Sequence, residues 1–232
     1  MAVKQKDIEG IGLVVFQKRR GTRSVRINIQ GHSVRVTLPH WITYREAERF
    51  VVSRQEWINS HKQEKLVLAN GALVGKKLQI TVIHDDIEKP KTRVTHDLIK
   101  VTLPTSYAVE DDHSQDVIER ACERALSREA KELITPRIHD LAFEHGFEYN
   151  SLHFKKLKRR WGSCDAEQNI ILNVYLTQLP WELIDYVLLH ELTHTRHLHH
   201  GEDFWQQLTE LLPDAKQLRA QLHEYHPQLF PH

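Results

Sequence analysis

The sequence predicts an α+β fold, with a β-rich N-terminal portion followed by a core of helices around a small sheet. Three observations carry that expectation. Residues 1–110 contain short runs that alternate apolar and polar side chains, the period of a half-buried strand. Residues 111–232 open on an apolar stripe at helical spacing, through Val117, Ile118, Ala121, Ala125, Leu126, Ala130, Leu133 and Ile134. Further on, Trp181–His197 is of helix length and has a strongly apolar middle.

In order along the chain, Arg23–Ile29 and Ser33–Leu38 read as a hairpin across Gln30-Gly31-His32. Pro39 ends the second run. Thr43 and Glu46 then stand at capping-box spacing, opening a helix that runs to about His61. Ala72–His84 and Arg93–Leu103 are the next β-like runs, divided by the turn-prone Asp85–Pro90. The helical pattern of His113–Gly146 stops at Gly146 and contains Pro136, which is expected to kink or divide it. Ser151–Leu157 and Asn169–Tyr175 read as strands around a Trp161–Asp165 loop. Pro180 suits the first turn of the next helix, and Gly201 separates it from helical pieces at Glu202–Leu212 and Asp214–His223.

A length of 232 residues allows one domain or two. The formal charge of +1 gives no global reason to expect a nucleic-acid or membrane partner. Cys122 and Cys164 are too few for a disulfide scaffold and suggest a reducing compartment. The start Met1–Lys6 is not followed by an apolar stretch, so no signal peptide is expected. No run reaches the ~18 apolar residues of a membrane span. The cytoplasm is the expected location.

The chemistry concentrates at His190-Glu191-Leu192-Thr193-His194, which fits H-E-x-x-H. Four residues along a helix bring both imidazoles to one face about a turn apart, where they can share one Zn²⁺. Glu191 leans toward the same face and is placed to act as general base on a metal-activated water. A catalytic zinc takes three protein ligands as a rule. Downstream candidates are His197, His199, His200, Glu202 and Asp203. His200 is favoured because the chain can turn back at Gly201, with His197 and Glu202 as alternatives. The spacing to His200 equals that of the metzincin pattern, but His197 stands where that pattern needs Gly.

Four blocks carry a family resemblance: Arg160-Trp161-Gly162-Ser163-Cys164, Asn169-Ile170-Ile171-Leu172-Asn173, Ile184–His194, and His200-Gly201-Glu202-Asp203-Phe204-Trp205. Through them the chain resembles the YgjP-like zinc metallopeptidases, relatives of the SprT-like and WLM proteases. Arg26–Ile58 is similar to that family's opening strands and helix. The resemblance implies a zincin-like core, with the H-E-x-x-H helix packed on a sheet and His200 as third ligand. Thr193 stands where many members have Cys, and His199-His200-Gly201 where many have Asn-His-Ser.

These readings make the chain a zinc metallopeptidase expected to act on peptides or proteins. The basic run Lys155–Arg160 keeps nucleotide or nucleic-acid partners open. It supports two alternatives, a nucleotide pyrophosphatase and a DNA-associated SprT-like protease. A binding module with a structural zinc is a third. The Asn169–Asn173 strand is a candidate edge for an extended substrate, and Tyr175 a candidate oxyanion donor. Trp161 and Trp205 are read as wall or core, and Cys164 as structural.

Overall fold

The computed structural model describes residues 3–30, 33–61 and 67–229. It falls into two compact units, Met1–Leu66 and Val67–His232.

The first unit is a four-stranded sheet with two helices. Its strands are β1 (Val3–Ile8), β2 (Gly12–Lys18), β3 (Arg26–Gln30) and β4 (Ser33–Leu38), in the order β1-β2-β4-β3. β3 and β4 pair antiparallel, from Arg26 opposite Thr37 to Gln30 opposite Ser33. The expected hairpin is therefore present, although its Gly31-His32 turn lies outside the described residues. Alternation puts Val34, Val36 and Leu38 on one face with Val14 and Phe16 of β2. That face is buried with Ala47, Val51 and Ile58 of the helices. β1 and β2 were not foreseen: the Val3–Asp7 stretch of β1 is exposed throughout, so it lacks the alternation that marks a half-buried strand, and β2 buries only Val14 and Phe16.

Thr43 and Glu46 do form the capping box, with the Glu46 amide donating to Thr43 Oγ1 at 3.2 Å. The single helix expected to His61 is instead two, α1 (Tyr44–Val52) and α2 (Gln55–His61). The break falls at Ser53, whose hydroxyl bonds back to the Phe50 carbonyl at 2.8 Å and so competes with helical pairing.

The second unit has one hydrophobic core shared by two sheets and four helices. β5 (Leu73–Val74), β6 (Leu78–Asp85), β7 (Lys91–Val94) and β8 (Leu98–Pro104) form a sheet in the order β5-β6-β8-β7. The sequence reading grouped this sheet with the N-terminal portion and placed the boundary at 110/111. The contacts place it after Leu66. The reason is burial: Ile80, Ile99, Val101 and Leu103 lie in one core with the apolar stripe of α3 (Asp112–Glu144).

α3 is undivided despite Pro136. Its end is set by Gly146, which takes φ of +66° while Phe147 N–H bonds the Ala142 carbonyl at 2.8 Å. There follow β9 (Ser151–Lys155), β10 (Gly162–Cys164), β11 (Asn169–Asn173) and a 3-10 turn at Val174–Gln178. The order is β10-β11-β9. β11 is thus the central strand, which corrects the reading of Asn169–Asn173 as an edge; the edges are β10 and β9. Last come α4 (Trp181–His194), α5 (Glu202–Leu211) and α6 (Ala215–Leu222). Among the described residues no helix is long and apolar enough to cross a membrane.

Candidate metal centre

α4 is apolar nearly all round, with Leu183, Ile184, Val187, Leu188, Leu189 and Leu192 buried, the pattern of a helix enclosed by protein. Asp185 fixes it to α3 through a two-pronged ion pair, accepting from Arg137 Nε at 2.8 Å and from a terminal guanidinium nitrogen at 2.6 Å. Its last turn carries the H-E-x-x-H residues.

Three imidazoles converge there. His190 and His194 Nε2 are 3.2 Å apart, His194 and His200 Nε2 3.2 Å, and His200 and His190 Nε2 3.0 Å. Among the described residues this is the one His/Cys/Asp/Glu group gathered closely enough to hold a metal ion. His200 arrives because the chain folds back after α4, with His197 N–H on the Thr193 carbonyl at 3.0 Å and Gly201 N–H on the His199 carbonyl at 2.8 Å. His197 contributes its backbone instead, since its carbonyl takes the His194 Nδ1–H at 2.9 Å. That bond leaves the lone pair of His194 on Nε2, aimed at the cluster.

Three neutral ring nitrogens facing one another cannot all pair, because each is either a donor or an acceptor and two of one kind must meet. Burial favours their neutral forms. It pushes His190 down to about 3, with His194 and His200 adding to the effect, and it lowers His194 and His200 as well. Phe204 of α5 closes the floor, its ring 4.6–4.9 Å from all three imidazole centroids.

Glu191 is 5% exposed and its Oε2 has no hydrogen-bond partner. It lies against β10 at Gly162, where an added Cβ would sit 2.5 Å from Oε1. Only glycine permits that approach. Burial pushes the carboxyl up to about 8, opposed by the charge of Arg160. Above it opens a cleft of about 340 Å³ lined by Arg159, Arg160, Trp161, Tyr186, Arg219 and Tyr225 among others.

The other predicted residues divide. Arg159 and Arg160 of the basic run reach the cleft, whereas Lys156 turns away to pair with Glu119 and Glu123 of α3. Tyr175 is 1% exposed and its hydroxyl donates to Glu123 at 3.0 Å, so it is no oxyanion donor. Cys164 stands outside the cluster, and burial raises its thiol to about 11. Trp161 is a wall of the cleft, and Trp205 packs beside His200. Sequence reasoning missed the roles of Phe204, Gly162 and Asn173. All three lie inside the quoted blocks, so the signal was their position next to site residues.

Comparison with known proteins places the chain in a class and then a family. Its class is that of metallopeptidase domains, through the profile of the YgjP-like metallopeptidase domain, which matches residues 23–225. The chain belongs to this YgjP-like family. It is also similar to a chain in the crystal structure of the metallopeptidase zymogen of Pyrococcus abyssi abylysin. The identity is 22%, over 43% of this chain and 90% of that one, with a TM-score of 0.32. No curated protein matches.

Proposed function

We propose that the chain is a zinc-dependent peptidase in which His190, His194 and His200 hold the metal and Glu191 is the general base. The observation that carries this reading is the triangle of Nε2 atoms. A tetrahedral zinc with Zn–N of ~2.0–2.1 Å separates its nitrogen ligands by ~3.3 Å, close to the 3.0–3.2 Å found. The donor set also fits, since burial favours the neutral form of each imidazole and their Nε2 atoms are turned inward. Zinc bound there supplies Lewis acidity, which lowers the pKa of water and polarises a carbonyl.

The chain's own groups do the rest. Glu191 has an unpartnered Oε2 in a dry setting, which favours taking a proton from the attacking water and returning it to the leaving amine. A cation in the triad opposes the rise of its pKa. Gly162 leaves room for the carboxylate. The open edge of β10 offers backbone groups to which an extended peptide can add as a strand. The whole forms a zincin-like core, with α4 packed on the β10-β11-β9 sheet. Two free thiols, Cys122 and Cys164, suit the cytoplasm.

Elemental analysis of purified wild type and His200→Ala tests the ligand set: near-stoichiometric zinc in the first and a sharp loss in the second are expected. Glu191→Gln should keep zinc and lose hydrolysis, and an active Glu191→Gln protein would sink the base assignment. Arg159 and Arg160 in the cleft favour a second reading, cleavage of a nucleoside triphosphate at the same centre. Pyrophosphate release that disappears on replacing both arginines would support it.

A further inference from the structure

The unit Val67–His232 is acidic overall, with 19 Lys and Arg against 25 Asp and Glu. Its cleft has the opposite balance. Arg159, Arg160 and Arg219 line it, and the one carboxylate there is Glu191, buried at the base.

Two of them are held in position. Asn173, fully buried at the end of β11, donates its side-chain amide to the Leu157 carbonyl at 2.7 Å and the Arg160 carbonyl at 2.9 Å. Its own N–H takes the Trp161 carbonyl at 2.8 Å. The Arg160 backbone is thereby clamped beside the cleft while its side chain stays exposed. Arg219 of α6, also lining the cleft, rests over the Trp205 ring, 5.0 Å from its centroid. Neither guanidinium has a carboxylate partner among the described residues. Both are felt at the centre, Arg160 by Glu191 and Arg219 by His190.

Resting on the peptidase reading above, we propose that Arg160 and Arg219 select substrates carrying a carboxylate next to the bond that is cut. In a polypeptide that anion is an Asp or Glu side chain or a terminal carboxylate. The planar guanidinium matches either with paired N–H donors. Trp161, Tyr186 and Tyr225 supply apolar walls for the stem of such a residue. Arg160 and Arg219 are specificity residues, distinct from the metal and proton-transfer groups.

The test uses zinc-loaded protein and fluorogenic peptides identical except for Glu, Gln or Lys beside the scissile bond, each with a free or an amidated C-terminus. The Glu peptide should exceed the Gln peptide about tenfold in kcat/KM, the size of one charge-assisted contact. Arg160→Gln and Arg219→Gln should each collapse that ratio, and Arg219→Glu should turn the preference toward Lys. A preference that follows the free C-terminus assigns the same recognition to a terminal carboxylate. Equal cleavage of Glu, Gln and Lys peptides would overturn the proposal and leave the peptidase reading standing.

Binding separates the two claims. If no peptide is cut, anisotropy of the labelled Glu peptide on zinc-loaded Glu191→Gln protein decides. Salt-sensitive binding lost in Arg219→Gln keeps carboxylate recognition and rejects the peptidase reading, while its absence rejects both. Triphosphate hydrolysis that needs the same arginines would move the site to phosphate and overturn the proposal.

Discussion

The two units bury different things. The core of Met1–Leu66 is wholly apolar among its described residues, built from Val14, Phe16, Val34, Val36, Leu38, Val51 and Ile58. Every polar or charged residue found buried lies in Val67–His232, including Glu129, Asn173, Glu191, Thr193 and His194. Burying such groups costs free energy unless each finds a partner. Glu129 finds the backbone N–H groups of Lys76 and Lys77, Asn173 clamps a loop, and Thr193 bonds the Leu189 carbonyl at 2.7 Å. Glu191 Oε2 and His190 Nδ1 find none. Ser114 Oγ and Thr177 Oγ1 are likewise unpartnered, but of the buried groups without a partner only Glu191 and His190 are ionisable, and on the reading proposed above these two belong to the reactive centre.

Variants can break or sharpen that contrast, and the largest effect is expected from the aromatic floor. Phe204→Ala removes the ring under three imidazoles and should cost about 3–5 kcal/mol, together with much of the bound metal. Phe16→Ala in the first unit should cost a similar amount yet leave zinc content unchanged. Parallel urea melts and metal analysis of the two variants check this, and equal metal loss in both would erase the distinction between the units.

Gly162→Ala comes next. Its methyl group would press on the Glu191 carboxylate, displacing the base and lowering kcat by about 10²-fold. Zinc content should be nearly unaltered, so turnover and metal must be read on the same sample.

A smaller effect is expected from pH in the chelator-treated protein. Glu191 is raised to about 8 in the fold from an ordinary unfolded value of ~4.3. Its neutral form is the stable one, so its contribution is intact below the unfolded pKa and fades as pH climbs through the folded value. His190, lowered to about 3, acts in the opposite sense, and stability rises as pH climbs from that value through the unfolded one. Above ~6.5 the histidine contribution is level, so melts of metal-free wild type and Glu191→Gln between neutral pH and pH 8 isolate the carboxyl. The wild type should fall behind the variant as pH rises.

The smallest change is Thr43→Ala, which removes the cap of α1. It should cost about 1 kcal/mol without altering hydrolysis, as a turnover assay beside a melt would show.

Much of this was open to reading in the chain itself. The Thr43/Glu46 capping box, the β3–β4 pairing and the convergence of His190 with His194 follow from local rules, since each joins residues a few positions apart. The elements misread are those whose neighbours are distant. β1 and β2 both escaped the sequence reading, and β1 is a polar strand visible only through its pairing with β2. Ser53 breaks a helix that the periodicity continues. Asn169–Asn173 looks like any half-buried strand until β9 and β10 flank it. Tyr175 was placed at the site by proximity in sequence, and its hydroxyl turned out to face Glu123 on α3.

By itself the sequence determined the chemistry on offer: two histidines and a glutamate on one helical turn, a nearby His200 before a helix-breaking glycine, and neighbouring blocks that carry the family. Backbone periodicity sets the first of these; the blocks speak only through their resemblance to the YgjP-like family. Only the tertiary structure decided which groups meet. It brought His200 rather than His197 or Glu202 to the pair, put Gly162 under Glu191, laid Phe204 beneath the three rings, and gathered Arg160 and Arg219 at one cleft. Each of these contacts joins separate elements, and the packing of a shared core, which no local pattern encodes, fixes their distances.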